Sequence, residues 1–352
     1  MNNYHFDEKV KQGYYLADYF KKTTKIVEKY RPNEIVTMQF FQRKENTILC
    51  GINQAIALIK YASPNYKELK IEYLPDGTIV QPLEAVLKIT GHYQDFGFLE
   101  GMIDGILARN SSIATNSKRI IDVVPASRAL NMNDRADLYI NQPYDGYASY
   151  IGGFRRFVSE SALEFINDKT VAQPSGTMPH ALIQIFDGNL LEATKAFAET
   201  FPNQPLVALV DYNNDCVTDA LIVARHFKDK LFAVRLDTAG NLIDKTLEKN
   251  KAKYPTDANL YGVNEYLVRE VRNALDAEGF NHVQIIVSSG FNADRIREFE
   301  ENKVPVNTYG IGEALVKVNI NFTGDDVALN GKPQAKFGRH EFENKNLKLL
   351  KW

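Results

Sequence analysis

The sequence predicts an α/β protein in which a mixed α+β domain accompanies a parallel-sheet region, and three observations predict it. From about residue 116 to residue 317, short β-branched runs alternate with amphipathic stretches, which implies a parallel sheet, closed as a barrel or open. On either side of that region the apolar period falls to two and turn signals appear. Near its end, VQIIVSSGFNADRI (283–296) reads as a buried strand, a small-residue loop and a helix start. Such a unit is an anion site, because the first helical N–H groups lack internal partners and the macrodipole favours negative charge. A second unit follows, with a strand over 304–308 and a turn at Gly310-Ile311-Gly312.

Taken in order, residues 14–30 have helical spacing, with Leu16, Tyr19, Phe20, Thr23, Ile26 and Val27 on one face and Arg31-Pro32 as the stop. Alternation over 38–41 and 47–50 around polar residues 42–46 predicts a hairpin. After a helix over 53–62, residues 70–74 and 78–81 about Pro75-Asp76-Gly77 predict a second hairpin. Residues 84–90 predict a strand, and 92–124 two helices with small residues at their junction. In the alternating region strands are expected at 170–173, 206–210, 231–236, 283–287 and 304–308. Helices are expected at 159–167, 189–201, 215–225, 242–250 and 263–278, and behind the N-cap Asn292. Beyond Leu315, KVNINFTGDDVALNGKPQAKF carries an Asn330-Gly331 hairpin signal and should fold back onto the first domain. The expected domains are therefore 1–115 with 318–352, and 116–317.

A chain of 352 residues can bury a sizeable core, and 44% hydrophobic with 24% charged residues is ordinary for a soluble enzyme. A net charge of −2 provides no basic field for nucleic acid, so any anion must be held by local clusters. Cys50 and Cys216 lack metal or disulfide spacing, which excludes a zinc knuckle and argues against a disulfide framework. The N-terminus, MNNYHFDEKVKQGYY, is charged throughout, and no uncharged apolar run approaches the roughly 18 residues of a membrane span. The expectation is a cytoplasmic protein with no membrane partner.

In a parallel sheet of this kind functional residues sit just after the strands. Asp211 follows LVALV, Arg235 and Asp237 follow LFAV, His180 lies in PSGTMPH, and Arg155-Arg156 follow Gly152-Gly153. A carboxylate, two arginine sites, a histidine and two phosphate-type loops on one face suit a substrate with several phosphates and a metal. Each also has an ordinary reading: Asp211 and Asp237 as helix caps, the arginines as a solvated pair, His180 as structural.

The ordered set Tyr19-Phe20 with Thr23, GFRR (153–156), SGTMPHALI (175–183), VDYNND (210–215), VRLDTAG (234–240), VSSGF (287–291) and YGIG (309–312) resembles the nicotinate phosphoribosyltransferases over nearly the whole chain. The likeness is greatest to the shorter archaeal and bacterial type. It implies the type II phosphoribosyltransferase fold, an irregular α/β (TIM-like) barrel joined to an α+β sandwich-like domain completed by C-terminal strands.

Residue by residue, the resemblance implies that Arg155 and Arg235 surround the nicotinate ring and the diphosphate. Asp211 and Asp237 would position ribose hydroxyls and Mg2+, while Ser289-Gly290 and Gly310-Gly312 would cradle the 5-phosphate. His180 matches the histidine phosphorylated by ATP, with Ser175 and Thr177 of the same motif and Arg156 as substrate contacts. Tyr19 matches an aromatic that enters a neighbouring subunit's site, implying a homodimer or higher homo-oligomer. Ala17 departs from the usual Asp, Gly152 stands where many relatives carry a ring-stacking aromatic, for which Phe154 is the candidate substitute, and the C-terminal region lacks the cysteines of zinc-bound tails. The implied activity is ATP-coupled synthesis of nicotinate mononucleotide from nicotinate and phosphoribosyl pyrophosphate. The alternatives are a nicotinamide or quinolinate phosphoribosyltransferase, a Schiff-base aldolase, against which stands the absence of Lys from the five expected barrel strands, and a non-catalytic nucleotide-binding homologue.

Overall fold

The computed structural model describes residues 4–176 and 178–352. Its helices are α1 Asp18–Tyr30, α2 Ile52–Ala62, α3 Tyr93–Phe96, α4 Glu100–Ile121, α5 Gln142–Ile151, α6 His180–Ile185, α7 Leu190–Thr200, α8 Cys216–Phe227, α9 Lys245–Lys249, α10 Glu265–Ala277 and α11 Ala293–Glu301. Its strands are β1 Ile35–Gln42, β2 Thr47–Ile48, β3 Lys70–Tyr73, β4 Ile79–Val80, β5 Leu87–His92, β6 Ala129–Asn131, β7 Leu206–Leu209, β8 Leu231–Leu236, β9 Gln284–Val287, β10 Thr308–Ile311, β11 Phe322–Leu329, β12 Lys332–Pro333 and β13 Lys348–Leu349.

The strands form an antiparallel sheet in the order β12-β11-β1-β5-β3-β13 and a parallel sheet in the order β6-β10-β9-β8-β7. The α/β class holds. A parallel bridge between Asn131 and Phe157 extends the second sheet past β6. No ladder joins that edge to β7 among the described residues, so the barrel is irregular and open on one side. Each sheet has its own apolar core, one around Phe40, Ile71 and Leu107, the other around Val234, Ile285 and Tyr309. The C-terminal strands complete the first sheet: β11 pairs with β1, and β13 with β3. Asn330 (φ 50°) and Gly331 (φ 73°) form the left-handed turn that the β11–β12 hairpin needs.

Several local expectations are overturned. The two N-terminal hairpins do not form, because both edges of β1 and both edges of β3 are already occupied by other strands. Instead β2 pairs with β4. The turn between β3 and β4 is drawn to the start of α2, where Asp76 accepts from the Ile52 N–H at 2.8 Å and from Asn53 at 3.0 Å. Residues 170–173 are not a strand: the Asp168 carboxylate accepts from both the N–H and the hydroxyl of Thr170 at 2.8 Å, and this local turn replaces strand pairing. The strand at that end is β6, only three residues long and too short to show a period. The helix expected at 159–167 reduces to a single 3-10 turn over residues 161–163, and the strand expected at 304–308 lies at 308–311.

Residues 92–124 form a short α3, a 3-10 turn and one long helix, α4, which runs through the small residues expected at a junction. Those residues are acceptors for passing backbone. Ser111 takes the Cys50 N–H at 3.0 Å, Thr115 the Ile48 N–H at 2.9 Å, and Ser112 the Ile320 N–H at 2.9 Å. Buried donors without such partners would each cost about 1–3 kcal/mol.

Where α4 meets β11 an acidic group gathers. Burial, reinforced by Asp104, Asp326 and Asp325, pushes the Glu100 carboxyl up to about 7. Because that value lies above the ordinary one, the native state holds a proton the unfolded chain has lost, so this contribution to stability is present at low pH and disappears as pH rises through about 7. Glu100→Gln is therefore expected to raise the melting temperature at about pH 8, with the gain shrinking at about pH 5. Thermal scans of both proteins across that range check it, and an equal shift at every pH would contradict it.

Candidate active site

The strands β7, β8, β9 and β10 all end at one edge of the parallel sheet, and a cleft of 1530 Å³ opens there. Val210 continues the β7 ladder by donating to the Arg235 carbonyl at 3.0 Å, which places Asp211 immediately beyond the strand. His180, the first residue of α6, brings its Nε2 to 3.0 Å from both oxygens of Asp211. The carboxylate side chain is 7% exposed and the imidazole 44%. This geometry assigns the Nε2 proton to the shared hydrogen bond and leaves Nδ1 as the nitrogen with a lone pair. Burial raises the Asp211 carboxyl, His180 opposes the rise, and Asp237 adds to it.

Arg235, in β8, is held side-on. Its Nη2 donates to Asp237 Oδ2 at 2.9 Å and its Nε to Ser288 Oγ at 3.2 Å, while Ser288 Oγ donates to Asp237 Oδ1 at 2.7 Å. The three side chains close a ring of charge-assisted bonds, and both charged members are only 12% exposed. Such mutual fixing keeps a guanidinium preorganised toward the cleft.

Beyond β9 the loop adopts left-handed backbone at Ser289 (φ 78°) and Gly290 (φ 75°). For a serine this conformation costs about 1 kcal/mol or more, and Arg295 holds it by donating to the Ser289 carbonyl at 2.8 Å. Asn292 caps α11 as expected, accepting from the Arg295 N–H at 2.9 Å. Gly310 and Gly312 also line the cleft, but Gly310 lies in β10 rather than in a turn. Their lack of side chains has a packing cause: a Cβ at Gly310 would lie 2.4 Å from Met132 Sδ, and one at Gly312 2.8 Å from the Met132 carbonyl oxygen.

The structure does not bring every candidate here. Phe154 is fully buried in the core, so it cannot stack on a ligand in the cleft. Arg155 donates to the carbonyls of Tyr150 and Phe154 and lies over the Tyr150 ring at 4.4 Å, outside the cleft lining. Arg156 sits at the opposite end of the sheet, bonded to the Ser127 carbonyl and Thr308. No side chain fits at Gly152, where a Cβ would lie 2.4 Å from the Ala114 carbonyl oxygen; this close crossing of α4 and α5 explains the missing aromatic. Ser175 is exposed and donates its N–H to the Phe157 carbonyl, beside Gly176 of the cleft lining. Thr177 lies outside the described residues. Tyr19, on α1, is 64% exposed and packs on Phe20 rather than in its own cleft.

Sequence reading missed Arg119, Arg135, Arg297 and Lys317, all of which line the cleft. None directly follows a strand of the parallel sheet; Arg119 reads as a solvated charge in the last turn of α4. Arg297 pairs with Asp294 at 2.9 Å and Lys317 with Glu313 at 3.4 Å, whereas Arg119 and Arg135 make no ion pair among the described residues. The basic cluster is thus denser than the sequence suggested. No group of three or more metal-ligating side chains occurs among the described residues. The Asp211 oxygens already face His180, and those of Asp237 already accept from Ser288 and Arg235, so these two carboxylates could take Mg2+ only by sharing their oxygens with those donors and with most ligands supplied by substrate.

Residues 18–111 match the family model described as quinolinate phosphoribosyl transferase, N-terminal domain. A Mycobacterium tuberculosis protein named nicotinate phosphoribosyltransferase is 23% identical over 273 residues, covering 75% of this chain and 52% of its own length. The chain thus spans about half the length of the curated relatives it matches. The crystal structure of a nicotinate-nucleotide pyrophosphorylase from Pyrococcus furiosus superposes with a TM-score of 0.81 at 28% identity, covering 99% of this chain and 86% of that one. Human nicotinic acid phosphoribosyltransferase superposes with a TM-score of 0.69 at 17% identity, over 92% of this chain and 77% of that one, a likeness of fold. The architecture is that of the type II phosphoribosyltransferases.

Proposed function

We propose that this chain, whose architecture is that of the type II phosphoribosyltransferases, transfers the phosphoribosyl group of phosphoribosyl pyrophosphate to nicotinate, releasing nicotinate mononucleotide and pyrophosphate. The observation that carries the reading is the convergence of the His180–Asp211 pair and the Arg235–Asp237–Ser288 ring on one large cleft beside the left-handed loop before α11. As the bond from the anomeric carbon to pyrophosphate breaks, positive charge develops on the ribose and negative charge on the leaving group. The ring nitrogen of nicotinate then bonds to that carbon. No covalent nucleophile is needed for the transfer, so the protein's work is positioning and charge stabilisation. Arg235 faces the leaving group, and the Ser289-Gly290 loop and α11 N-terminus receive the 5-phosphate. Arg119 and Arg135 are available to the nicotinate carboxylate, a task the structure does not give Arg155. Mg2+, held by Asp211 and Asp237 with substrate oxygens, would neutralise pyrophosphate.

A second reading, transfer to quinolinate, is favoured by two observations: residues 18–111 match the model described as the N-terminal domain of quinolinate phosphoribosyl transferase, and two cleft arginines make no ion pair among the described residues, where a dicarboxylate would use both. Pyrophosphate release measured with nicotinate, nicotinamide and quinolinate, each with and without ATP, separates the readings. Preferred turnover of nicotinate with stimulation by ATP supports the first. Preferred turnover of quinolinate supports the second, and no release with any base leaves a non-catalytic homologue.

The site extends to a second copy of the chain. The α1 helix leaves Tyr19, Ile26 and Tyr30 more than half exposed, an apolar face open to solvent. A two-fold dimer would make each subunit donor and acceptor of Tyr19. Ring stacking of about 0.5–1.5 kcal/mol implies that Tyr19→Ala raises the nicotinate KM roughly two- to tenfold. Mixing Tyr19→Ala with Arg235→Ala subunits should restore one complete site per heterodimer. Activity at low nicotinate that stays at the level of the separate variants, with subunit exchange verified, would show that each site is built from one chain.

A further inference from the structure

We infer that the opposite end of the parallel sheet carries a second ligand site, built around Arg156, that takes a phosphomonoester bearing a planar ring. An open, shallow depression of 620 Å³ lies there, among the residues that begin β8, β9 and β10 and precede β6. No carboxylate lines it. Two arginines do, and they differ. Arg128 is neutralised by Glu300 through contacts of 2.6 and 2.7 Å. Arg156 is half-buried, and its partners among the described residues are neutral oxygens, the Ser127 carbonyl at 2.7 Å and Thr308 Oγ1 at 3.2 Å. Burial lowers its pKa with no acidic neighbour opposing the shift. Partly desolvated and without a counter-ion among the described residues, this guanidinium is suited to meet an anion.

The rest of the wall suits an oxyanion on a ring. Asn307 uses its Oδ1 to accept from the Ile285 N–H at 2.8 Å, which leaves its NH2 as a donor beside Arg156. The Gln284 amide makes no bond within the protein among the described residues and lines the same depression. Phe232, 42% exposed on β8, offers an aromatic face to the depression while both neighbours in the strand are buried. A phosphate taking two guanidinium N–H bonds, with its ring against Phe232, satisfies the charge and covers the exposed aromatic.

Adenosine 5′-monophosphate is the probe. It is titrated into the full chain carrying Arg235→Ala, which weakens the catalytic cleft, and the same chain with Arg156→Gln, Arg156→Lys or Phe232→Ala added. At least tenfold weaker binding is expected with Arg156→Gln, a smaller loss with Arg156→Lys, and a clear loss with Phe232→Ala, an exposed position whose change leaves folding intact. A crystal soaked with 8-bromoadenosine 5′-monophosphate should show anomalous bromine scattering beside Phe232. Unchanged affinity in the Phe232→Ala and Arg156→Gln proteins, or bromine in the catalytic cleft alone, overturns the inference. None of these outcomes depends on the phosphoribosyl reading.

Discussion

Arg235→Lys is expected to lower kcat/KM for pyrophosphate release at least tenfold while the protein folds normally. The guanidinium donates to Asp237 at 2.9 Å and to Ser288 at 3.2 Å, and these bonds help fix the plane of the fork at the end of β8. An ammonium on a flexible stem is a single point of donation. It can keep the ion pair with Asp237 or reach the ligand, but it cannot hold the planar geometry that matches a phosphate. Removing the cation with Arg235→Ala is expected to cost more, about 3 kcal/mol or roughly a hundredfold in rate, the effect of losing one preorganised donor. It would also leave the Asp237 carboxylate, only 12% exposed, without its partner, so melting temperatures should be recorded beside the kinetics. Near-normal kinetics for Arg235→Lys would remove Arg235 from the site.

What the sequence made legible follows the range over which each signal acts. The strands β7, β8 and β9, the Asn292 cap and the Asn330-Gly331 turn rest on runs of adjacent residues, and they lie within a residue or two of where reading put them. The two N-terminal hairpins failed because pairing is a competition among distant segments. Nothing within residues 35–81 announces that β11 and β13, hundreds of residues away, occupy the edges of β1 and β3. The candidate site divides the same way. Asp211 and Asp237 follow strands and Arg235 is the penultimate residue of β8, and the topology delivers them to one face. Arg119 reaches the cleft only because α4 runs unbroken through its small polar residues. Arg156 failed for the same reason as β6: its segment, 154–157, bridges a three-residue strand without a readable period. Phe154 could not be separated from a ligand-facing aromatic by sequence, since burial depends on what packs around it.

On the proposed reading, His180→Ala is expected to abolish stimulation by ATP yet retain slow phosphoribosyl transfer. The proposed role is covalent: a ring nitrogen of His180 attacks the γ-phosphorus of ATP, the bond to ADP breaks, and the phosphohistidine is later hydrolysed. Only a nitrogen with a free lone pair can attack, and Asp211 determines which one that is. Its two oxygens, each 3.0 Å from Nε2, fix that nitrogen as the protonated one and present Nδ1 as the nucleophile. The carboxylate also stabilises the positive charge that develops on the ring as the new bond forms, as in an acid–histidine pair of a catalytic triad. Asp211→Asn preserves the size of the side chain but can turn its NH2 toward Nε2, favouring the opposite tautomer. Stimulation by ATP should then fall at least tenfold. Because His180 is the group that draws the Asp211 carboxyl down against burial and Asp237, its removal should also raise that carboxyl further. Carboxyl titration by NMR in the wild type and in His180→Ala measures this shift. Equal ATP stimulation in wild type, His180→Ala and Asp211→Asn would end the phosphohistidine assignment, and an unmoved Asp211 titration would show that the pair is not coupled in solution.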